Sequence, residues 1–128
     1  MCNYISADFN NCYNTGKLHS TGNWAGGVCG NNNSIITNCY NAGIITGSSI
    51  STFGGICAMN NSGTVTNCYF NSETCSGSAI GSNSGTIITC SGITTAQMKA
   101  ASGVTSGESW SGTALVDLLN GYTEGDPA

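Results

Sequence analysis

The chain has 128 residues, two of them Lys or Arg and six Asp or Glu, which leaves a net charge of −4. That length allows one domain with a modest core, and the isolated cations Lys17 and Lys99 exclude the basic surface that nucleic-acid binding requires. No apolar run approaches the roughly 18 residues of a membrane span, and Met1-Cys2-Asn3-Tyr4 leads into polar residues rather than an apolar signal core. Gly, Asn, Ser and Thr fill the gaps between short runs containing Ile and Val. The fixed spacing of β-branched and aromatic residues argues for a folded chain rather than a disordered one.

From its N-terminus the chain repeats itself. Asn11-Cys12-Tyr13-Asn14-Thr15-Gly16 returns as Asn38-Cys39-Tyr40-Asn41-Ala42-Gly43 after 27 residues, and as Asn67-Cys68-Tyr69-Phe70-Asn71 after a further 29. Gly26-Gly27-Val28-Cys29 returns as Gly54-Gly55-Ile56-Cys57 after 28, and Gly63-Thr64-Val65-Thr66-Asn67-Cys68 is echoed by Gly85-Thr86-Ile87-Ile88-Thr89-Cys90. A repeat of this period cannot bury its own apolar face and must stack on its neighbours. Aligning the copies gives rungs at 7–33, 34–62, 63–84 and an incomplete 85–95, with 1–6 matching the end of an earlier rung. The expectation is an array that starts in mid-repeat, as a piece of a longer one does.

Within a full rung, Asn, Gly and Ser clusters bound three short strand candidates; in the second rung these are 35–40, 44–46 and 53–57. Three strands per turn predict an all-β fold, a right-handed β-solenoid (β-helix) of three to four coils with about 28 residues per rung. Its coils would lie about 4.8 Å apart. Equivalent residues would then stack: Asn11, Asn38 and Asn67; Tyr13, Tyr40 and Tyr69; the corner residues Asn31, Asn60 and Asn83; and the file Thr37, Thr66 and Thr89. Asn and Gly suit the corners because they accept a left-handed backbone. Strict alternation would set Cys39 opposite to Ile36; a bend at Thr37-Asn38 turns both inward and buries the apolar pair.

Beyond Thr95 the texture changes. A Thr cap precedes Ala96-Gln97-Met98-Lys99, with Gly103 as a stop. Another precedes Ala114-Leu115-Val116-Asp117-Leu118-Leu119, with Gly121 as a stop and an apolar face at Leu115, Leu118 and Leu119. The chain divides into repeats at 1–95 and a helical capping segment at 96–128, expected over the last rung, whose strand edges would otherwise stand open. The first rung lacks such cover, which predicts end-to-end self-association through it.

Gly26-Gly27-Val28-Cys29-Gly30-Asn31 and Gly54-Gly55-Ile56-Cys57-Ala58-Met59-Asn60, each followed by a Thr-containing strand and Asn-Cys-Tyr, resemble the GLUG repeats of bacterial surface proteins. Ile93-Thr94-Thr95-Ala96-Gln97-Met98-Lys99 is similar to the segment that often follows the last such repeat. The resemblance implies an extracellular or cell-wall-associated bacterial protein of adhesin-like character; in some immunoglobulin A peptidases the repeats lie outside the catalytic domain. It implies no shared activity. The third rung departs from the pattern, being shortened, with Cys75 where a longer loop is expected.

Cys12, Cys39, Cys68 and Cys90 share one repeat position and Cys29 and Cys57 another, so they read as structural ladders. No two cysteines lie two to four residues apart, as zinc sites require, and His19 has no second His, so neither metal nor cofactor is expected. Stacked Cα atoms lie within disulfide range, yet Cys also behaves as a small buried hydrophobe. Inward-facing reduced thiols are the favoured reading, with Cys2 and Cys75 outside the ladders and exposed or paired. Catalytic residues are not expected either. Asp8, Glu73, Glu108, Asp117, Glu124 and Asp126 are scattered, whereas carboxylates that cleave a glycosidic bond converge within about 5 to 10 Å. His19-Ser20 reads as a loop pair rather than part of a triad, and the Gly-Gly pairs lack the Lys of a phosphate loop.

These readings describe a non-catalytic structural or adhesive module, a stalk or a ligand-presenting surface. The alternative is a carbohydrate-binding module whose face is Tyr13, Tyr40, Tyr69, Asn11, Asn38 and Asn67, with rings to stack on sugars and amides to bond hydroxyls. An ice-binding Thr face and the remnant of a polysaccharide-cleaving β-helix enzyme carry less weight. The partner implied is a glycan or another host-surface ligand.

Overall fold

The computed structural model describes residues 2–48, 51–100 and 113–119. Its strands pair in parallel, each with the equivalent strand one repeat away. One sheet stacks β1 (Cys2–Ile5), β6 (Cys29–Asn32), β11 (Cys57–Asn60) and β14 (Ile80–Asn83). A second stacks β2 (Phe9–Asn10), β7 (Ile35–Thr37), β12 (Thr64–Thr66) and β15 (Thr86–Ile87). A third stacks β3 (Tyr13–Asn14), β8 (Tyr40–Asn41), β13 (Cys68–Asn71) and β16 (Cys90–Ile93). Two pairs, β4 (Leu18–Ser20) with β9 (Ile45–Gly47) and β5 (Trp24–Gly26) with β10 (Thr52–Gly54), complete the longer rungs. The fold is all-β, and its parallel stacking of successive repeats fits a β-solenoid.

The corners cut the expected strands more finely than their apolar runs suggested. Candidate 35–40 breaks at Asn38, whose φ is 55, into β7 and β8; the equivalent Asn11 and Asn67 have φ of 56 and 52. An Asn tolerates this left-handed backbone where a β-branched residue does not, and the bend turns Ile36 and Cys39 both into the core, fully buried. Candidate 53–57 breaks at Gly55-Ile56 into β10 and β11, so the two long rungs carry five strands where three were expected. The Gly-Gly pairs serve close approach. A β-carbon on Gly27 would overlap the Asn41 amide and the Gly55 carbonyl, and one on Gly55 would overlap the Phe70 ring.

Register decides which residues form files. Phe9, Ile36, Val65 and Ile87 stack in the second sheet, and Tyr13, Tyr40 and Tyr69 in the third. Two expected files need correction. Cys29 pairs with Cys57, which sets Asn31 against Met59, and the file of corner amides is Asn32, Asn60 and Asn83. The corner of the Asn31-Asn32-Asn33 run is its second residue, one later than expected. Likewise β12 and β13 pair with β15 and β16 at a constant offset of 22 residues, which puts Ile88 beside Thr66 and Thr89 at the Asn67 corner. The Thr file therefore ends at Thr66.

The core is a stack of these files. Ile36, Ile56 and Val65 are fully buried together with Cys29, Cys39, Cys57 and Cys68; each large aliphatic side chain so buried contributes about 1.5 to 3 kcal/mol. Buried amides run beside it. The Asn32 amide donates to Asn60 at 2.9 Å and Asn60 to Asn83 at 2.7 Å, while Ser34 N–H donates to the Asn32 oxygen at 3.1 Å. Asn14 donates to Asn41 at 2.9 Å, and Gly43 N–H to Asn41 at 3.0 Å, a second amide file that the repeat alignment had not singled out. Each amide ties its own corner and the next rung, so its burial leaves no polar atom unpaired.

The third rung is shorter because it has no counterparts of β4 and β5. After β13 the chain turns at Ser72-Glu73-Thr74-Cys75, with Cys75 N–H bonded to the Asn71 carbonyl at 3.0 Å, and heads for β14. Cys75 is buried in the core and not exposed or paired as expected, since the shortcut carries it inward. Cys2 is corrected too: it pairs in register with Cys29 and so belongs to the Cys29–Cys57 file.

Two helices follow the array. In α1 (Thr95–Lys99) Thr94 Oγ1 accepts from Gln97 N–H at 3.2 Å while Gln97 Oε1 accepts from Thr94 N–H at 3.1 Å, a capping box. Gln97 Nε2 then donates to the Thr113 carbonyl at 3.0 Å, just before α2 (Leu115–Leu119). Leu115 packs with Tyr69 and Ile93, with Tyr40, Met98, Leu118 and Leu119 around them. The helices thus lie on the outer side of the third sheet, where Tyr69 offers apolar surface, and Ile87 and Ile88 of the last rung remain exposed. The stops expected at Gly103 and Gly121 lie outside the described residues.

Candidate ligand-binding face

Every second residue of the third sheet faces outward, which is what sets Tyr13, Tyr40 and Tyr69 in one outer file between inward Cys12, Cys39 and Cys68. The Tyr13 and Tyr40 rings stack with centroids 5.3 Å apart and 9° between planes. Stacked in this way the rings cover one another, and the open aromatic surface is that of Tyr13, which is 65 % exposed. Tyr69 is 4 % exposed, covered by Leu115 and its neighbours, and so is withdrawn from the expected face. Burial pushes the Tyr69 phenol up, with the Cys68 and Cys90 thiols adding to the shift; the Tyr40 phenol is pushed up by burial and then by Tyr13.

The asparagines beside the rings divide in the same way. Asn67 Nδ2 donates to Asn38 Oδ1 at 2.6 Å and to the Leu119 carbonyl at 3.2 Å, while its Oδ1 accepts from the Tyr69 hydroxyl at 3.0 Å. Its hydrogen-bonding capacity is spent on seating α2, which removes it from ligand contact. Asn11 is exposed and Asn38 half-buried next to the Tyr13–Tyr40 pair. Between Tyr40 and the helices lies a cavity of about 240 Å³ lined by Tyr40, Met98, Leu115, Val116 and Leu119. Sequence reading could not have found it, because it needs the tail folded against the rungs. Tyr13, Tyr40, Asn11 and Asn38 are therefore brought together, with Tyr40 at the wall of the recess, while Tyr69 and Asn67 are engaged by α2.

Cys12, Cys39, Cys57, Cys68, Cys75 and Cys90 are free thiols, with Cys12 and Cys90 at the two ends of one file and less buried than Cys39 and Cys68 between them. Cys39 Sγ donates to the Thr37 carbonyl at 3.2 Å and Cys68 Sγ to the Thr66 carbonyl at 3.3 Å, each thiol bonding its own corner. A hydrogen bond from the Cys68 thiol brings Cys39 down to about 7, and the same contact drives Cys68 well above the ordinary thiol range. Contact with Cys29 lowers Cys57, and burial pushes Cys90 up to about 12.

Of the groups considered for catalysis, Glu108, Glu124 and Asp126 lie outside the described residues, and His19, Ser20, Asp8 and Glu73 have the following partners. His19 Nδ1 is 3.1 Å from Thr46 Oγ1, and Ser20 Oγ donates to the Trp24 carbonyl at 3.2 Å. Asp8 accepts from Ser34 at 2.9 Å, and Glu73 accepts from the Thr95 N–H at 2.6 Å at the start of α1. Thr95, by its side chain and then its backbone, holds the Glu73 carboxyl below its usual range. No family model matches the chain, and neither the curated proteins nor the solved structures contain a match.

Proposed function

We propose that this chain is a structural or adhesive repeat module of a bacterial cell-surface or secreted protein, of the GLUG-repeat kind, which presents a ligand-binding face and carries out no chemistry. The coils are right-handed in this reading, the hand that parallel crossover connections take almost without exception. The observation that carries the proposal is the outer file of the third sheet: its lower part, Tyr13 stacked on Tyr40, is left open beside a recess while its upper part is sealed. The inward polar side chains are spent on ladders between rungs, which supports a stiff scaffold whose contacts are made on the outside.

A carbohydrate ligand is the reading that the open rings favour, because aromatic faces stack on sugar rings and neighbouring amides bond hydroxyls. A glycan array probed with the chain and with a folded Tyr13→Ala/Tyr40→Ala variant tests it. Saturable binding lost in the variant supports recognition by the rings; silence from both leaves a stalk. End-to-end association belongs to the same proposal, since β2 and β3 are edge strands at one end and β15 and β16 at the other. Sedimentation showing only monomer at high concentration would count against it.

A further inference from the structure

Cys12 and Cys39 stack in adjacent rungs. Tyr13 pairs with Tyr40, and the Tyr40 N–H donates to the Cys12 carbonyl at 3.1 Å. Both side chains turn inward, Cys12 against the core and Cys39 fully buried within it. Cys12 Sγ donates to the Asn10 carbonyl at 3.2 Å, and Cys39 Sγ lies 3.2 Å from the Thr37 carbonyl and 3.6 Å from that of Phe9. The two thiols thus belong to adjacent rungs, each within reach of a backbone carbonyl, and Cys39 also meets the Cys68 thiol. Beside Cys12 a cavity of about 30 Å³, lined by Phe9, Cys12, Tyr13, Asn14, Gly27 and Val28, leaves room for one atom-sized guest.

Spacing decides what such a pair can hold. In-register parallel strands lie about 4.8 Å apart, a spacing whose Cα separation a disulfide also accepts, yet both thiols are unbridged. Two metal–thiolate bonds of about 2.3 Å laid end to end span about 4.6 Å, so a linear ion fits the rung spacing with the backbone in place. A tetrahedral ion does not fit, and among the described residues no three His, Cys, Asp or Glu side chains converge on a point. Thiolate ligands favour soft ions of the Cu(I) type.

We propose that Cys12 and Cys39 form a two-coordinate thiolate site for one soft monovalent cation of the Cu(I) or Ag(I) class, entered through the cavity beside Cys12. Two S–H bonds break and two S–metal bonds form; the two thiols and the cation become S–M–S with release of two protons, and no electron is transferred. The carbonyls of Asn10, Thr37 and Phe9, which now accept the thiol protons, then face the cation. The assembly carries one negative charge shared by the two sulfurs, of which Cys12 is the less buried.

The test titrates Ag⁺ into the reduced full chain, with native mass spectrometry for stoichiometry and X-ray absorption for the ligands. The expected result is an ion with two sulfur neighbours, one bound equivalent of which is lost or weakened about tenfold or more, the scale on which metal-site changes act, in Cys12→Ser. Cys75→Ser, a buried thiol off the file, should keep that equivalent. Equal binding by the wild type and Cys12→Ser, or equal loss in Cys75→Ser, overturns the proposal. Should Cys12→Ser fail to fold by circular dichroism, alkylation of the wild type decides: bound Ag⁺ should slow reaction of Cys12 with iodoacetamide, and an unchanged rate overturns it.

Discussion

Tyr13 and Tyr69 occupy the same repeat position in the same sheet, yet one is 65 % exposed and the other 4 %. The repeat sets their direction, outward in both cases. What separates them is α2, which reaches Tyr69 and stops short of Tyr13. Equivalence in a repeat therefore determines register and facing, but exposure is settled by whatever packs on the array afterwards.

Replacement of the two rings gives the largest expected difference. Tyr69→Ala should destabilise by about 3 to 5 kcal/mol, as deletion of a buried aromatic does, while Tyr13→Ala should stay within about 0.5 kcal/mol. Urea unfolding of the pair measures both, and similar values would mean that α2 does not seal Tyr69. The same contrast exists inside the second sheet. Ile36 is fully buried and Ile87, two rungs along its file, is 41 % exposed. Ile36→Ala is expected to cost about 2 to 4 kcal/mol and Ile87→Ala under about 1 kcal/mol, read from the same denaturation midpoints.

The amide file gives a smaller contrast. Asn60→Ala takes away the acceptor of Asn32 and the donor to Asn83, at about 1 to 3 kcal/mol for buried groups left unpaired. Asn83→Ala, at the exposed end, should cost less than half as much in thermal melts. The least effect is expected from pH. The folded chain holds the Tyr69 proton more tightly than the unfolded chain does. This contribution is intact below the unfolded value near about pH 10 and is lost as pH rises through the folded one. Stability followed into alkali should fall less steeply for Tyr69→Phe than for the wild type, and identical slopes would place the phenol in water.

Much of this architecture could be read from residues. The Asn-Cys-Tyr phrase marks a corner, an inward thiol and an outward ring, and the bend at Asn38 that buries Ile36 with Cys39 follows from the need to hide two apolar side chains on one pass. The misreadings have local causes. Three successive asparagines offer no internal mark of register, so Asn31 reads as the corner that Asn32 occupies, and Thr89 matches Thr37 and Thr66 in residue type although the Cys68 to Cys90 pairing puts it at the corner. Cys75 stands outside the ladders in sequence, but a shortened rung draws its turn toward the core.

The candidate face was legible only in part. Its tyrosines and asparagines stand in the repeat, while the recess of Tyr40, Met98, Leu115, Val116 and Leu119 joins residues far apart in sequence. By itself the sequence determined the period, the stacking of the Asn-Cys-Tyr phrases and the inward turn of Ile36 with Cys39, because stacked copies must bury the same residues and bend at the same asparagines. Only the tertiary structure decided which copies are covered and which are open. That depends on where an apolar helix face finds its largest complementary surface, and here the surface is Tyr69 rather than the edge of the last rung.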